Sequence, residues 1–404
     1  MYQNLAILAA FTFLYSITSA GLGRTPVNGA LVFMGFGAAM GPLGLGLLHL
    51  DIDAEGLRTM AELTLALVLF TDAAGSHLRE LQHSYRIPLR LLGIGLPLTI
   101  GLGYAAGWLL LDGLGWMEIA ILAVMLAPTD AALGKAVVTN PSVPGPIREG
   151  LNLESGLNDG ICVPILFVFL FLASEAGAGG DTSALVIKLV AEAIGFGVAV
   201  GVGMTWLAVM LLRAVNSRGW MTDSWEQITL PTLAVACFGL TQWLGGSGFI
   251  ACFVGGLVFG AMEQEGTHAR LLEAEGVGDT MALLTWVVFG AAVVGQGLDS
   301  LTWQVVLYAF LSLTVIRMLP VFLSLSGLPM AATEKLFVGW FGPRGLASIV
   351  FGVIVLEDKL PGGGTIIDAT VATIVLSVLL HGLSANPLVG ALASKMKAVA
   401  ATRH

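Results

Sequence analysis

Glu154, Ser155, Asn158 and Asp159 fall within one short stretch of a run that is otherwise apolar enough to cross a membrane. A charge at bilayer depth costs from about 2.5 to more than about 10 kcal/mol, so such a cluster must face protein, water or an ion. At 100° per residue Ser155 and Asp159 are about 40° apart and share one helix face. Glu154 and Asn158 share a neighbouring face in the same way, while Glu154 and Asp159 diverge by about 140°. The spacing predicts a division of labour, with Asp159 and Ser155 toward an ion and Glu154 and Asn158 tied into the protein. Hard monovalent cations take oxygen ligands, which carboxylate, hydroxyl and freed carbonyl groups supply.

Four further residues extend the chemistry. Ala127-Pro128-Thr129-Asp130 and Gly342-Pro343-Arg344-Gly345 each place a proline beside a charge inside an apolar span. Proline removes a backbone donor and clashes with the preceding turn, so both spans should break near mid-membrane. The Thr129 carbonyl then becomes a candidate ligand. Asp130 has two readings, as an ion ligand or as the charge neutralising positive helix ends at its own break; Arg344 would neutralise negative ends at the other. Arg317 lies in another span, keeps its proton, and needs a carboxylate, for which Glu154 is the natural partner. That leaves Asp159 to be neutralised by a proton or a cation, but not by both. Asp72 either reaches the ion, through water or along an access funnel, or is a polar residue at a helix end. Glu62 and Glu118 lie near predicted helix ends, where they should meet solvent. Lys188 and Glu192 form a structural i,i+4 pair.

The elements that must position these groups follow from composition. Of 404 residues 56% are hydrophobic and 11% charged, and the mean hydropathy is +0.88. Soluble chains carry about 25% charged residues, so this is a polytopic membrane protein. The net charge of −9, with basic residues scattered singly, excludes nucleic-acid binding. Thirteen apolar runs predict an all-α fold with spans at 4–22, 27–49, 57–76, 86–111, 116–137, 145–174, 184–214, 226–244, 247–263, 276–298, 301–327, 334–357 and 366–396. The first lacks a basic flank and reads as a membrane helix rather than a signal peptide. Arg24, Arg79, Arg86, Arg90, Lys135, Arg148, Arg213, Arg218, Arg270, Lys335, Lys395, Lys397 and Arg403 fall in or beside alternate loops. The positive-inside rule then puts the N-terminus outside and the C-terminus in the cytoplasm. Connections of a dozen residues or so leave no room for a soluble domain. The fifth and twelfth spans carry the breaks, so 1–6 and 8–13 read as inverted six-helix repeats whose broken helices cross at mid-membrane.

Cys162, Cys237 and Cys252 are read as buried core residues with no disulfide. The histidines, His77 and His83 among them, form no metal spacing, and no histidine is placed to activate Ser155. An enzyme and a resident cofactor are therefore not expected.

Together these motifs resemble the NhaP-type sodium/proton antiporters, in the branch of the cation/proton antiporter superfamily that includes the animal sodium/proton exchangers. The resemblance covers nearly the whole chain. It implies a homodimer in a bacterial or archaeal inner membrane, with lipid as its surroundings. Residues 1–85 and 226–298 would be the scaffold and dimerisation helices, 86–174 and 301–396 a core that slides to carry the ion, and 184–214 the link. Asp159 matches the family's ion- and proton-binding aspartate, and Ser155, Asp130 and the Thr129 carbonyl its supporting ligands. Asn158 matches a position that is a second aspartate in electrogenic relatives, and its neutral amide implies one proton exchanged per cation. Glu154 and Arg317 match the family's buried ion pair. The implied activity is electroneutral exchange of Na⁺ for H⁺, with Li⁺ and K⁺ as alternative cations. Two departures stand out: Pro343 beside the arginine, and Asp72 where a glutamate is common. The rival readings are a sodium-coupled organic anion symporter and a cation sensor or channel subunit without exchange.

Overall fold

The computed structural model describes residues 2–22, 25, 27–42, 44–48, 54–75, 86–130, 133–176, 183–262, 267–294 and 301–401. Arg24, His49, Arg79, His77, His83, Arg403 and His404 lie outside them. Every regular element among the described residues is helical. The principal helices are α1 (Tyr2–Leu22), α2 (Gly29–Met40), α3 (Ala54–Gly75), α4 (Arg86–Leu110), α5 (Trp116–Met125), α6 (Lys135–Val138), α7 (Gly145–Ala176) and α8 (Ser183–Asn216). They continue with α9 (Thr229–Trp243), α10 (Gly248–Met262), α11 (Thr267–Val288), α12 (Trp303–Leu313), α13 (Val315–Ser324), α14 (Ala332–Trp340), α15 (Leu346–Glu357) and α16 (Gly363–Ala401). Among the described residues six stretches are long and apolar enough to cross a membrane: α1, α4, α7, α8, the α12–α13 pair and α16. The apolar helices α2, α5, α10 and α15 are shorter.

The two proline-marked interruptions are present. Regular helix stops at Met125 and resumes at Lys135, and stops at Trp340 and resumes at Leu346. A turn at Gly245, whose φ of 79° favours glycine, separates α9 from α10. One interruption was not expected: the span over 301–327 is divided at Thr314, so Arg317 opens a new short helix instead of riding in a continuous one.

Packing falls into two groups. Helices α3, α8, α9, α10 and α11 pack on one another, with α2 against α11. Helices α4, α5, α7, α12, α13, α14, α15 and α16 form the second set. The two sets meet where α3 crosses α15 and α7 and where α7 packs on α8 and α10. Gly256 and Gly260 press against the backbone of α3 at Phe70 and Ala74, where a Cβ would collide. Removing side chains in this way lets helices approach in a bilayer, where van der Waals contact is a main source of association.

Burial corrects the reading of two acids. Glu62 and Glu118 are buried, not solvated. Glu118 accepts the Gly115 N–H at 2.7 Å and the Gly362 N–H at 2.6 Å, which ties the start of α5 to the turn before α16. Glu62 accepts from Arg58 at 2.6 Å, one turn away on α3. Near-terminal position in a sequence says where a helix ends, but not whether another segment covers that end.

Candidate functional site

The centre of the second helix set is the break after α5. Its irregular backbone is held by the polar turn of α7. Ser155 Oγ donates to the Thr129 carbonyl at 2.5 Å, and Asn158 Nδ2 donates to Thr129 Oγ1 at 2.7 Å. Ser155 and Asn158 therefore both brace the break, although they lie on adjacent helix faces. The expected division of labour is blurred at Ser155, whose proton goes to the Thr129 carbonyl while its oxygen lone pairs stay available. Asp159, one turn beyond Ser155, is 8% exposed. Its Oδ1 meets no hydrogen-bond partner among the described residues.

Asp159 lines a cavity of about 90 Å³ shared with Asp72, Asp130, Ser155, Glu275 and Asp279. One water needs about 10–15 Å³ of such space, so the hollow has room for a monovalent cation with a few waters. The structure thus brings Asp72, Asp130, Ser155 and Asp159 to one hollow, with Thr129 just behind it.

The two broken segments exchange their charges. Asp130 Oδ1 accepts the Leu133 N–H at 3.2 Å, and its Oδ2 accepts the Leu346 N–H at 3.0 Å, at the start of α15. The Asp130 N–H donates to the Pro343 carbonyl at 2.8 Å. Arg344 in turn donates to the carbonyls of Ala127 and Pro128, the latter at 2.8 Å, just past the end of α5. Ser348 of α15 adds a bond to the Met125 carbonyl at 2.8 Å. The expectation for Arg344 is therefore corrected. It serves carbonyls freed at the other break, not its own, and Asp130 serves N–H groups on both sides of the crossing. The orphan N–H and C=O groups of a helix end carry opposite partial charges, so a carboxylate suits one and a guanidinium the other. Gly345 makes the crossing possible, because a Cβ there would strike the Asp130 carboxylate.

Glu154 and Arg317 form a bidentate pair, at 2.6 and 2.7 Å, with both side chains 1% exposed. Gly342 packs on the Arg317 guanidinium so closely that any side chain would displace it. The ion pair, the α12–α13 interruption and the break before α15 are thus one joint.

Sequence reasoning missed four residues here. Ser377 and His381 on α16 hold the break after α14. Ser377 Oγ accepts the Arg344 N–H at 2.7 Å, and the His381 ring places Nε2 2.8 Å from the Trp340 carbonyl. Their i,i+4 spacing on an apolar helix was the available signal. Glu275 and Asp279, also i,i+4, line the cavity from α11. Beginning the tenth span at 276 left Glu275 in a loop and so hid its i,i+4 relation to Asp279, which lies inside that span.

Residues 7–391 match the family described as "Sodium/hydrogen exchanger, transmembrane". The chain belongs to that family of membrane antiporters, and within it the similarity is to the NhaP type. It is 25% identical over 383 residues to "K(+)/H(+) antiporter NhaP2" of Shewanella oneidensis, covering 94% of this chain and 64% of that protein. It is 26% identical over 395 residues to "K(+)/H(+) antiporter NhaP" of Alkalimonas amylolytica, covering 95% and 66%. "Na(+)/H(+) antiporter 2" of Zygosaccharomyces rouxii is 27% identical over 322 residues, covering 69% and 38%. The chain therefore spans about two thirds or less of the length of these relatives. Its fold is that of the sodium proton antiporter MjNhaP1 from Methanocaldococcus jannaschii, with a TM-score of 0.74 at 21% identity over 96% of this chain and 97% of that one.

Proposed function

We propose that this protein exchanges a monovalent cation for a proton across the membrane, with both contesting Asp159. One observation carries the reading. Of the two carboxylates on the polar turn of α7, Glu154 is consumed by Arg317, whereas Asp159 faces a small polar cavity with Oδ1 meeting no hydrogen-bond partner among the described residues. A buried carboxylate needs a neutralising partner, and a cation or a proton can each serve, one at a time. Competition for one acid couples the two fluxes once the site opens alternately to either side. Ser155, Asp130 and the Thr129 carbonyl supply further oxygens around the cation, and Asp72 lines the same cavity. Asn158 contributes no titratable charge, so one cation replaces one proton and the cycle is electroneutral.

Further parts of the proposal are thirteen spans in two inverted repeats, a homodimer in a bacterial or archaeal inner membrane, and an outside N-terminus with a cytoplasmic C-terminus. In the proposed cycle α4–α7 and α12–α16 slide as the carrier body against α1–α3 and α9–α11, with α8 as the link. The packing of the helices into two sets supports that division. The preferred cation is Na⁺ or Li⁺. Potassium is the second reading, favoured by the K⁺/H⁺ names of the two bacterial relatives. An organic anion symporter is disfavoured by a hollow that is small and rich in carboxylates.

The test is cation-driven proton flux in proteoliposomes, compared for Na⁺, Li⁺ and K⁺ over a range of pH. Asp159→Asn is expected to fold and to lose exchange by at least about 100-fold, and flux at the parent rate in that variant would refute the assignment. Lower pH should raise the apparent KM for the cation, since protons occupy the same carboxylate. A steady current that scales with exchange would overturn the one-for-one stoichiometry.

A further inference from the structure

A groove between α13, α14 and α16 plays no part in the ion site. Met318, Leu336, Phe337, Leu388 and Leu392 line it, and it encloses about 500 Å³. That lies within the roughly 300–1,000 Å³ of sites that hold small molecules. Leu336 and Leu388 are exposed, at 45% and 38%.

The two ends of the groove differ. Thr333, in the first turn of α14, and Lys395, near the end of α16, form one end. Trp340, the last residue of α14, forms the other, where its Nε1 donates to Ser384 Oγ at 2.9 Å. Thr333 to Trp340, and Lys395 back to Leu388, each cover about 10 Å of helix. A second ammonium stands beside the groove. Lys335 Nζ lies 5.7 Å from the centre of the Phe322 ring, and Phe322 is one turn beyond Met318 on α13. The neighbouring Glu334 carboxylate is engaged by the Ala331 N–H at 2.7 Å. Among the described residues no carboxylate comes within ion-pair distance of Lys335 or Lys395.

The result is an apolar trough whose one end carries two cations without counter-charges. In a bilayer, lysines mark the headgroup level and the apolar lining marks the hydrocarbon. Both lysines belong to the set of loops that the positive-inside rule assigns to the cytoplasm, where the leaflet is rich in anionic lipid. We propose that the groove binds one anionic phospholipid, with its phosphate at Lys335 and Lys395 and an acyl chain lying along Leu336 and Leu388 toward Trp340. A free phosphate would leave the trough unfilled, and a zwitterionic lipid would leave the lysines without a net counter-charge. Only the choice of leaflet rests on the orientation proposed above.

The floor of the groove ties this lipid to the crossing. The Trp340 ring lies 5.0 Å from the His381 ring, centre to centre, and the Trp340 carbonyl faces His381 Nε2 at 2.8 Å. Four residues further on, Arg344 serves the other break. The lipid therefore braces α14 against α16 where the chain leaves α14 to present Arg344.

The experiment measures lipid binding to the purified full chain in detergent, by native mass spectrometry and by melting. The probes are phosphatidylglycerol, phosphatidylcholine with the same acyl chains, and inorganic phosphate. A lysine near an anionic headgroup is worth about fivefold in affinity, so phosphatidylglycerol is expected to bind about 10–30-fold more tightly than phosphatidylcholine. Phosphate alone should not raise the melting temperature. Lys335→Gln combined with Lys395→Gln should reduce the preference to about twofold or less while lipid-free melting stays unchanged. Leu388→Trp, which fills the trough, should weaken both lipids. Equal binding of the two lipids to the parent, or a preference that survives the double lysine variant, overturns the site. Stabilisation by phosphate equal to that by phosphatidylglycerol overturns the acyl part of the assignment. A parent dimer that dissociates in Leu388→Trp assigns the groove to a second copy and also overturns it. Binding is read without transport, so its failure leaves the proposed exchange standing.

Discussion

Glu154 and Asp159 have the same chemistry and lie five positions apart, yet their surroundings give them opposite tasks. Glu154 is saturated by a bidentate guanidinium, while Asp159 is held beside a cavity. Removing one member of a buried pair leaves an uncompensated charge, at a cost of about 3–5 kcal/mol. Glu154→Gln should therefore lower the melting temperature in detergent sharply. The double change Glu154→Gln with Arg317→Met should recover much of the loss, because no buried charge is then left over. Equal melting of single and double variants would count against the pair as the joint between α7 and α13. That Glu154 needs Arg317 was legible in the sequence, since a guanidinium in an apolar span demands a carboxylate. That Glu118 is buried was not, because its second donor, the Gly362 N–H, lies 244 residues away.

At the scale of elements, Pro128 and Pro343 announced the two breaks, since a missing donor is visible in one residue type. Which charge completes which break was not visible. That depends on how the two segments cross, and the crossing sets Asp130 against Leu346 and Arg344 against Ala127. The division at Thr314 likewise had no marker at its own position. The crossing makes a specific demand on Gly345, whose missing side chain leaves room for the Asp130 carboxylate. Gly345→Ala should cost about 1–3 kcal/mol as an overpacked contact and reduce exchange at least about tenfold. Gly364, with open space around it, is the control, and Gly364→Ala should leave melting and transport unchanged. Parent-like melting and exchange in Gly345→Ala would show that the crossing is looser than described.

For the whole molecule, the two helix sets are joined at a second place away from the cavity. Arg58 of α3 pairs with Glu62 in its own helix and with Glu357 at the end of α15. If the sets slide past one another, this contact must open in every cycle. The Arg58 and Glu357 side chains are about a third exposed, so the contact is worth about 0.2–1 kcal/mol after solvent screening. Glu357→Gln should therefore raise the maximal exchange rate, by no more than about fivefold, with the cation KM on either side unchanged. A rate equal to or below the parent's would argue that the contact is not broken during transport.

The exchange of caps between the breaks also bears on biogenesis. Leu346 is made 216 residues after Asp130, and Arg317 163 residues after Glu154. A nascent chain emerging only as far as α11 carries both carboxylates into the bilayer before the groups that complete them exist. Those acids must remain protonated or hydrated in the interval, and the early helices stay loosely associated. The first half gains its final packing only when the second half arrives, so resistance to proteolysis should appear late in synthesis and abruptly, once α15 is in place.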